Sequence, residues 1–256
     1  MICFDIETGP LPEDQLRAML PPFTPPPHPG EFDAAAVKLG NTKDPMLIEK
    51  KIETARQNHE ATVLDYERQA EQAKESHWRE FVAAAPMSAL TGQVLAIGYR
   101  SEKATVIDHI DLHGGDITGE TVLVEKFWLR YVKAKKDRRN LVGHNIAGFD
   151  IPFLIRRSWL LGIDVPDGIF DSNWRYLDRT FIDTMQRWQA GNYRDKFAGL
   201  DSLGKAFGLG NKTEGVDGGD FHRLYFGSQE ERAKALEYLL RDIELTWMVA
   251  QRMGIV

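Results

Sequence analysis

The chain has 256 residues, 43% of them hydrophobic and 27% charged, with a formal net charge of -6. That length can bury a core without staples, and the acidic balance excludes unselective wrapping of nucleic acid through bulk positive charge. A single cysteine, Cys3, excludes an intrachain disulfide and a zinc site built from cysteines, and sits in an apolar run as a small core residue. No apolar run approaches the ~20 residues of a membrane span. The N-terminus lacks the basic start and long apolar segment of a signal peptide. A cytoplasmic protein with no membrane partner is expected.

In chain order, residues 1–6 form a buried strand that Gly9-Pro10 breaks, and residues 11–20 suit a short helix. Pro21, Pro22, Pro25, Pro26, Pro27 and Pro29 then force an extended path. Residues 45–82 contain no Gly or Pro after Pro45 and read as helix, capped by Asp44. Ile48, Ile52, Ala55, His59, Val63 and Tyr66 recur as its apolar stripe. One long helix and a helical hairpin both satisfy this pattern.

Strands follow at 92–99 and 104–112, then a helix over 119–135, a short strand at 140–143 and a helix over 149–162 that Gly162 ends. A short strand at 180–185, a small helix over 200–207 and a long helix over 229–252 complete the chain. The layout is mixed α/β, a sheet covered by helices. It reads as one domain over 1–256, holding a proline-rich and helical insertion at about 21–86 between the first two strands.

Three acidic motifs punctuate this frame. In Phe4-Asp5-Ile6-Glu7-Thr8, strand alternation puts Asp5 and Glu7 on one face and apolar Phe4 and Ile6 on the other. Two carboxylates on one face of a core strand repel unless a cation neutralises them, and a hard divalent ion with oxygen ligands does so well. A solvent-facing edge strand is the bland alternative. In Gly143-His144-Asn145-Ile146-Ala147-Gly148-Phe149-Asp150, a strand ends in a polar turn and Asp150 opens a helix, where a mere capping role is the competing reading. In Tyr238-Leu239-Leu240-Arg241-Asp242, four-residue spacing puts the phenol and the carboxylate on one helix face.

Together these motifs resemble the DEDD superfamily of 3′–5′ exonucleases, in its tyrosine branch, where the third motif reads Tyr-x-x-x-Asp. The wording of the first two is similar to the proofreading domains of family B DNA polymerases and their stand-alone relatives. Phe181-Ile182-Asp183-Thr184-Met185 and Leu200-Asp201-Ser202-Leu203 resemble that subgroup too. The resemblance spans residues 1–10 and about 90–252 and implies a ribonuclease-H-like fold with a mixed five-stranded sheet. It implies that Asp5, Glu7, Asp150 and Asp242 hold two divalent cations, Mg²⁺ or Mn²⁺, and that Tyr238 serves the attacking water. The implied substrate is the 3′ end of a DNA strand, preferentially single-stranded, released as nucleoside 5′-monophosphates. A separate DNA polymerase or replication protein is a candidate partner.

Ile6, Thr8, His144, Asn145 and Phe149 are candidates to contact the terminal nucleotide, although His144 also suits a purely structural role. Lys133, Lys135, Lys136, Arg138 and Arg139, or Arg156 and Arg157, are candidates to meet the strand backbone. The residues 208–213 lack the Gly before Lys that a phosphate-binding loop requires. Trp159, Trp174, Trp188 and Trp247 read as core or boundary anchors. Two rival readings are an exoribonuclease trimming RNA ends, since both polymers offer the same phosphates, and a non-catalytic module that docks a polymerase.

Overall fold

Strand β1 (Ile2–Pro10) lies at the centre of the sheet, and its neighbours set the topology of a computed structural model that describes residues 1–110, 117–170, 178–192, 198–210 and 219–255. β2 (Gly92–Ser101) pairs antiparallel with β1, and β3 (Thr105–His109) antiparallel with β2. On the other side β4 (Leu141–Gly143) runs parallel to β1, and β5 (Phe181–Asp183) parallel to β4. The order β3-β2-β1-β4-β5 is the expected mixed α/β sheet of five strands.

Helices cover both faces. Phe4 and Ile6 turn to the side of α3 (Ile117–Lys136) and α4 (Asp150–Leu161), where the Phe4 and Phe127 rings sit 5.2 Å apart. The opposite face receives α7 (Phe221–Tyr225) and α8 (Gln229–Arg252). A capping box between Ser228 and Glu231 starts α8 and satisfies two otherwise orphaned N–H groups. Buried Leu239, Ile243 and Trp247 recur along α8 at helical spacing and seat it on the sheet. Cys3 is fully buried, and burial pushes its thiol up to about 12, so it is an inert core residue.

Most sequence-predicted elements recur with shifted ends. The 180–185 strand stops at Asp183, whose side chain accepts from Met185 N–H and caps α5 (Thr184–Gln189), so its second half is helix. Helix α7 was not foreseen; five residues are too few for a periodic signal. Leu112, Trp174 and residues 211–213 lie outside the described residues. Among the described residues no helix is long and apolar enough to cross a membrane.

Contacts divide the chain into two compact units, residues 1–16 with 84–256, and residues 17–83. The second unit begins in the last residues of α1 (Glu13–Met19) and contains one unbroken helix, α2 (Pro45–Ala84), rather than a hairpin. Asp44 caps it through Met46 N–H. The proline-rich stretch runs antiparallel along the apolar stripe, with ring contacts Phe23–His77, His28–Tyr66 and Phe32–His59. Nine steps from Phe23 to Phe32 match eighteen from His77 to His59. That ratio follows from an extended chain rising ~3.1 Å per residue beside a helix rising ~1.5 Å.

One buried ion pair ties the first unit together. Arg157 of α4 donates through Nε and Nη2 to Glu120 of α3, at 2.8 and 2.6 Å, and through Nη1 to Ala89 O at 3.0 Å. Glu120 also accepts Val94 N–H of β2 at 2.9 Å. Both side chains are almost fully buried. Arg157 is therefore a structural clamp and not a free cation for a strand backbone. Lys135 is engaged by Asp178, ahead of β5, and Arg139 by Glu102 and by Met1 O at the start of β1, whereas the second motif follows the far end of β4. Removing one partner of a buried pair strands the other charge, so Glu120→Ala is expected to lower unfolding free energy by about 3–5 kcal/mol in urea titrations. Glu120→Leu combined with Arg157→Met is expected to cost less than either single change.

Candidate active site

The acids of the first motif lie on the face that α8 covers. Asp5 pairs across the ladder with Gly98, and Glu7 with Ala96, so each acid faces a minimal neighbour on β2. A Cβ on Gly98 would stand 1.9 Å from Ile243 Cδ1 and 3.2 Å from Leu239 Cγ. Only glycine lets α8 approach this closely at that point. Ile243 adjoins Asp242, so the same approach carries the Asp242 carboxylate to the acids of β1. Carboxylate oxygens of Asp5, Glu7 and Asp242 lie within 4.8 Å of one another. Glu7 and Asp242 are buried and Asp5 partly so.

Asp150 reaches the same site from the second motif. Phe149, not Asp150, holds the capping position of α4. The Asp150 side chain turns instead to β1, where Oδ1 accepts Ile6 N–H at 3.2 Å. Burial and the charge of Asp5 push the Asp150 carboxyl well above the usual carboxylate range, against the opposing pull of Ile6 N–H. A pocket of ≈ 410 Å³ is lined by Asp5, Asp150, Asp242, Asp201 and the second-motif residues His144, Asn145 and Phe149, with Ile6, Met87 and Leu200 among its apolar walls.

Tyr238 lies one helical turn before Asp242 and is buried. Burial raises its phenol far above the ordinary value. The charges of Asp242 and Glu7, and a hydrogen bond with Asp242, push the same way. This phenol holds its proton beside the acids.

The turn between β4 and α4 is organised by a residue that sequence reasoning left without a role. Asp183, buried at the end of β5, accepts Asn145 N–H at 2.9 Å and Ala147 N–H at 3.0 Å besides capping α5. In the sequence it stands only inside Phe181-Ile182-Asp183-Thr184-Met185, which reads as a short strand. Asn145 adopts a left-handed backbone with φ 60°, which asparagine tolerates better than most residues. Thr184 Oγ1 lies 3.2 Å from Gly143 O and 2.9 Å from His144 Nδ1. The hydroxyl has one proton, given to the carbonyl, so His144 Nδ1 is the donor to Thr184 Oγ1. Of the predicted substrate contacts, His144, Asn145, Phe149 and Ile6 line the pocket. Thr8 does not: its hydroxyl donates to Pro86 O at 2.8 Å.

Three converging carboxylates with a fourth in the same pocket form a hard oxygen donor set, the kind that suits Mg²⁺ or Mn²⁺. Among the described residues this is where three or more possible metal ligands converge.

Residues 89–256 match the model of a family described as a predicted 3′–5′ exonuclease related to the exonuclease domain of PolB. The match takes in Asp150, Tyr238 and Asp242 and starts after Asp5 and Glu7, which the insertion separates from it. Among solved structures, the chain is similar to the family B DNA polymerase of the hyperthermophilic archaeon Pyrobaculum calidifontis, with 19% identity and a TM-score of 0.51. The likeness covers 67% of this chain and 23% of that one, and it shows the fold. No curated protein matches the sequence.

Two outcomes are expected. Gly98→Ala must displace α8, so it should lower stability by about 1–3 kcal/mol and reduce the rise in melting temperature that Mn²⁺ gives the wild type. The raised Asp150 carboxyl means the folded metal-free protein binds more protons than the unfolded chain. Its stabilising contribution is present below the unfolded value of 3.8 and lost as pH rises through the folded one. Asp150→Asn should therefore raise the metal-free melting temperature at pH 8 by about 2–4 °C, a gain that shrinks towards pH 4 in a calorimetric pH series.

Proposed function

Given that this chain belongs to the family of predicted 3′–5′ exonucleases related to the exonuclease domain of PolB, we propose that it hydrolyses DNA from the 3′ end, preferentially in single strands. The observation that carries this reading is the convergence of Asp5, Glu7 and Asp242 from β1 and α8 within 4.8 Å, with Asp150 and Tyr238 beside them.

Asp5, Glu7, Asp150 and Asp242 would hold two divalent cations, Mg²⁺ or Mn²⁺. Such a pair, when bound, activates water and stabilises the leaving oxygen of an in-line displacement. The chain's own contribution is positional. β1 and α8 fix the carboxylates, and Ile6 N–H fixes the Asp150 carboxylate. Tyr238 keeps its proton, since even a free phenol, with pKa ~10, is a poor base at neutral pH. It therefore orients the attacking water by hydrogen bonding. Water adds to the phosphorus and releases a proton to solvent. The bond to the 3′ oxygen of the shortened strand breaks, that oxygen takes up a proton from solvent as the new 3′ hydroxyl, and the terminal nucleotide leaves as a 5′-monophosphate. Phe149 and Ile6 offer apolar contact to that nucleotide, and His144 and Asn145 offer polar contact. The site lies away from the Lys135 and Arg139 cluster, so the strand enters over the pocket edge rather than along α3. A cytoplasmic setting, and service to a separate polymerase or replication protein, belong to the same reading.

Single-stranded DNA labelled at the 5′ end is expected to shorten stepwise with Mg²⁺ or Mn²⁺, while the same strand labelled at the 3′ end yields labelled mononucleotide at once. EDTA and Asp5→Ala should each stop both. Tyr238→Phe should slow turnover by up to about 100-fold, the cost of a misplaced reactant, without altering the shape of the pH–rate profile; loss of the alkaline limb would make Tyr238 the base. Faster digestion of a matched RNA strand would replace the DNA reading by the exoribonuclease one.

A further inference from the structure

The turn that leads from α2 into β2 has an unusual combination of a fixed backbone and an open side chain. Residues Ala85–Met87 form one turn of 3₁₀ helix. Ala85 and Pro86 are buried, yet Met87 is 70% exposed and lines the acidic pocket. Large exposed apolar side chains need no explanation singly. This one stands on a backbone held from several sides. Thr8 Oγ1 donates to Pro86 O at 2.8 Å, Thr91 Oγ1 to Ala85 O at 3.1 Å, and Gly92 N–H to Ser88 O at 2.7 Å. Arg157, from the buried clamp, donates to Ala89 O. Gly92 has no room for a side chain, since a Cβ there would lie 2.8 Å from Ala85 O.

The Thr8 bond is the informative one. Thr8 follows Glu7 directly, and β1 shifts register between them. Such a bulge re-aims a side chain, and here Thr8 ties the turn to the strand that carries Asp5 and Glu7. Whatever the acids hold is thereby kept at a fixed distance from Met87. In the pocket lining, Met87 and Phe149 are the two large apolar side chains that keep solvent-exposed surface. A thioether on an unbranched stem adapts to flat aromatic surfaces and makes favourable sulfur–ring contacts. A nucleobase is such a surface.

We propose that Met87 packs against the base of the 3′-terminal nucleotide, and that Thr8 is a positioning residue that holds the Met87 turn at the acids. This rests on the exonuclease reading and deepens it: the enzyme feels the terminal base without reading its edge, so any of the four bases is accepted and a missing base is noticed.

The test compares two oligodeoxynucleotides that differ only at the last position, one ending in thymidine and one in an abasic tetrahydrofuran residue with a free 3′ hydroxyl. Loss of one sulfur–ring contact predicts that Met87→Ala lowers kcat/KM by up to about tenfold on the thymidine end, mainly through KM. On the abasic end wild type and variant should agree within about twofold. Met87→Leu, which conserves volume, should retain most of the activity. Thr8→Val should repeat the base-dependent loss, and Thr8→Ser, which keeps the hydroxyl, should restore it. Equal losses on both ends, or no loss on either, would overturn the proposal. Failure of the parent reading looks different: wild type then releases no nucleotide from either strand, and the Met87 contact falls with it.

Discussion

Carboxyl groups gathered in a low-dielectric pocket resist ionising together, and this site brings Asp5, Glu7 and Asp242 within 4.8 Å with Asp150 beside them. The packing around β1 makes sense as the means of holding Asp5, Glu7, Asp150 and Asp242 together against that resistance. β1 contributes two acids by simple alternation, with Gly98 and Ala96 facing them across the ladder. The absence of a side chain at Gly98 admits α8 to the sheet and brings Asp242 with it. Asp150 is held by a β1 N–H, and Asp183 holds the turn from which Asp150 springs. Burial first, and the neighbouring acids second, raise both the Asp150 carboxyl and the Tyr238 phenol.

The polar interior serves this arrangement from a distance. Glu120 and Arg157 link α3, α4, β2 and the turn after Ala85–Met87 through four hydrogen bonds, all buried. One edge of that network fixes the backbone near Met87, and Thr8 fixes it from β1. The rim of the pocket and its acidic floor thus belong to one hydrogen-bonded frame, which is the condition that the proposed positioning of a strand end requires.

Much of this was legible in the sequence, and for physical reasons. Strand alternation alone put Asp5 and Glu7 on one face, and the four-residue helical spacing joined Tyr238 to Asp242. What stayed hidden depended on tertiary approach. Thr8 looked like a substrate contact because the register shift after Glu7, which aims it at Pro86, has no local signature. Arg157 looked like a surface cation because its partner, Glu120, is 37 residues away. Gly98 looked like any strand glycine until α8 lay over it. Helix α7 is too short to show a period, and Asp183 reads in the sequence only as part of a strand, its hold on the second-motif turn being long-range.

The central claim is that these acids form one site for a pair of cations, and electron paramagnetic resonance of bound Mn²⁺ tests it most directly. The account predicts two Mn²⁺ per chain with the dipolar-coupled spectrum of ions about 4 Å apart, and loss of that coupling in both Asp5→Asn and Asp242→Asn. A spectrum of isolated ions, or coupled binding that survives both substitutions, would contradict it.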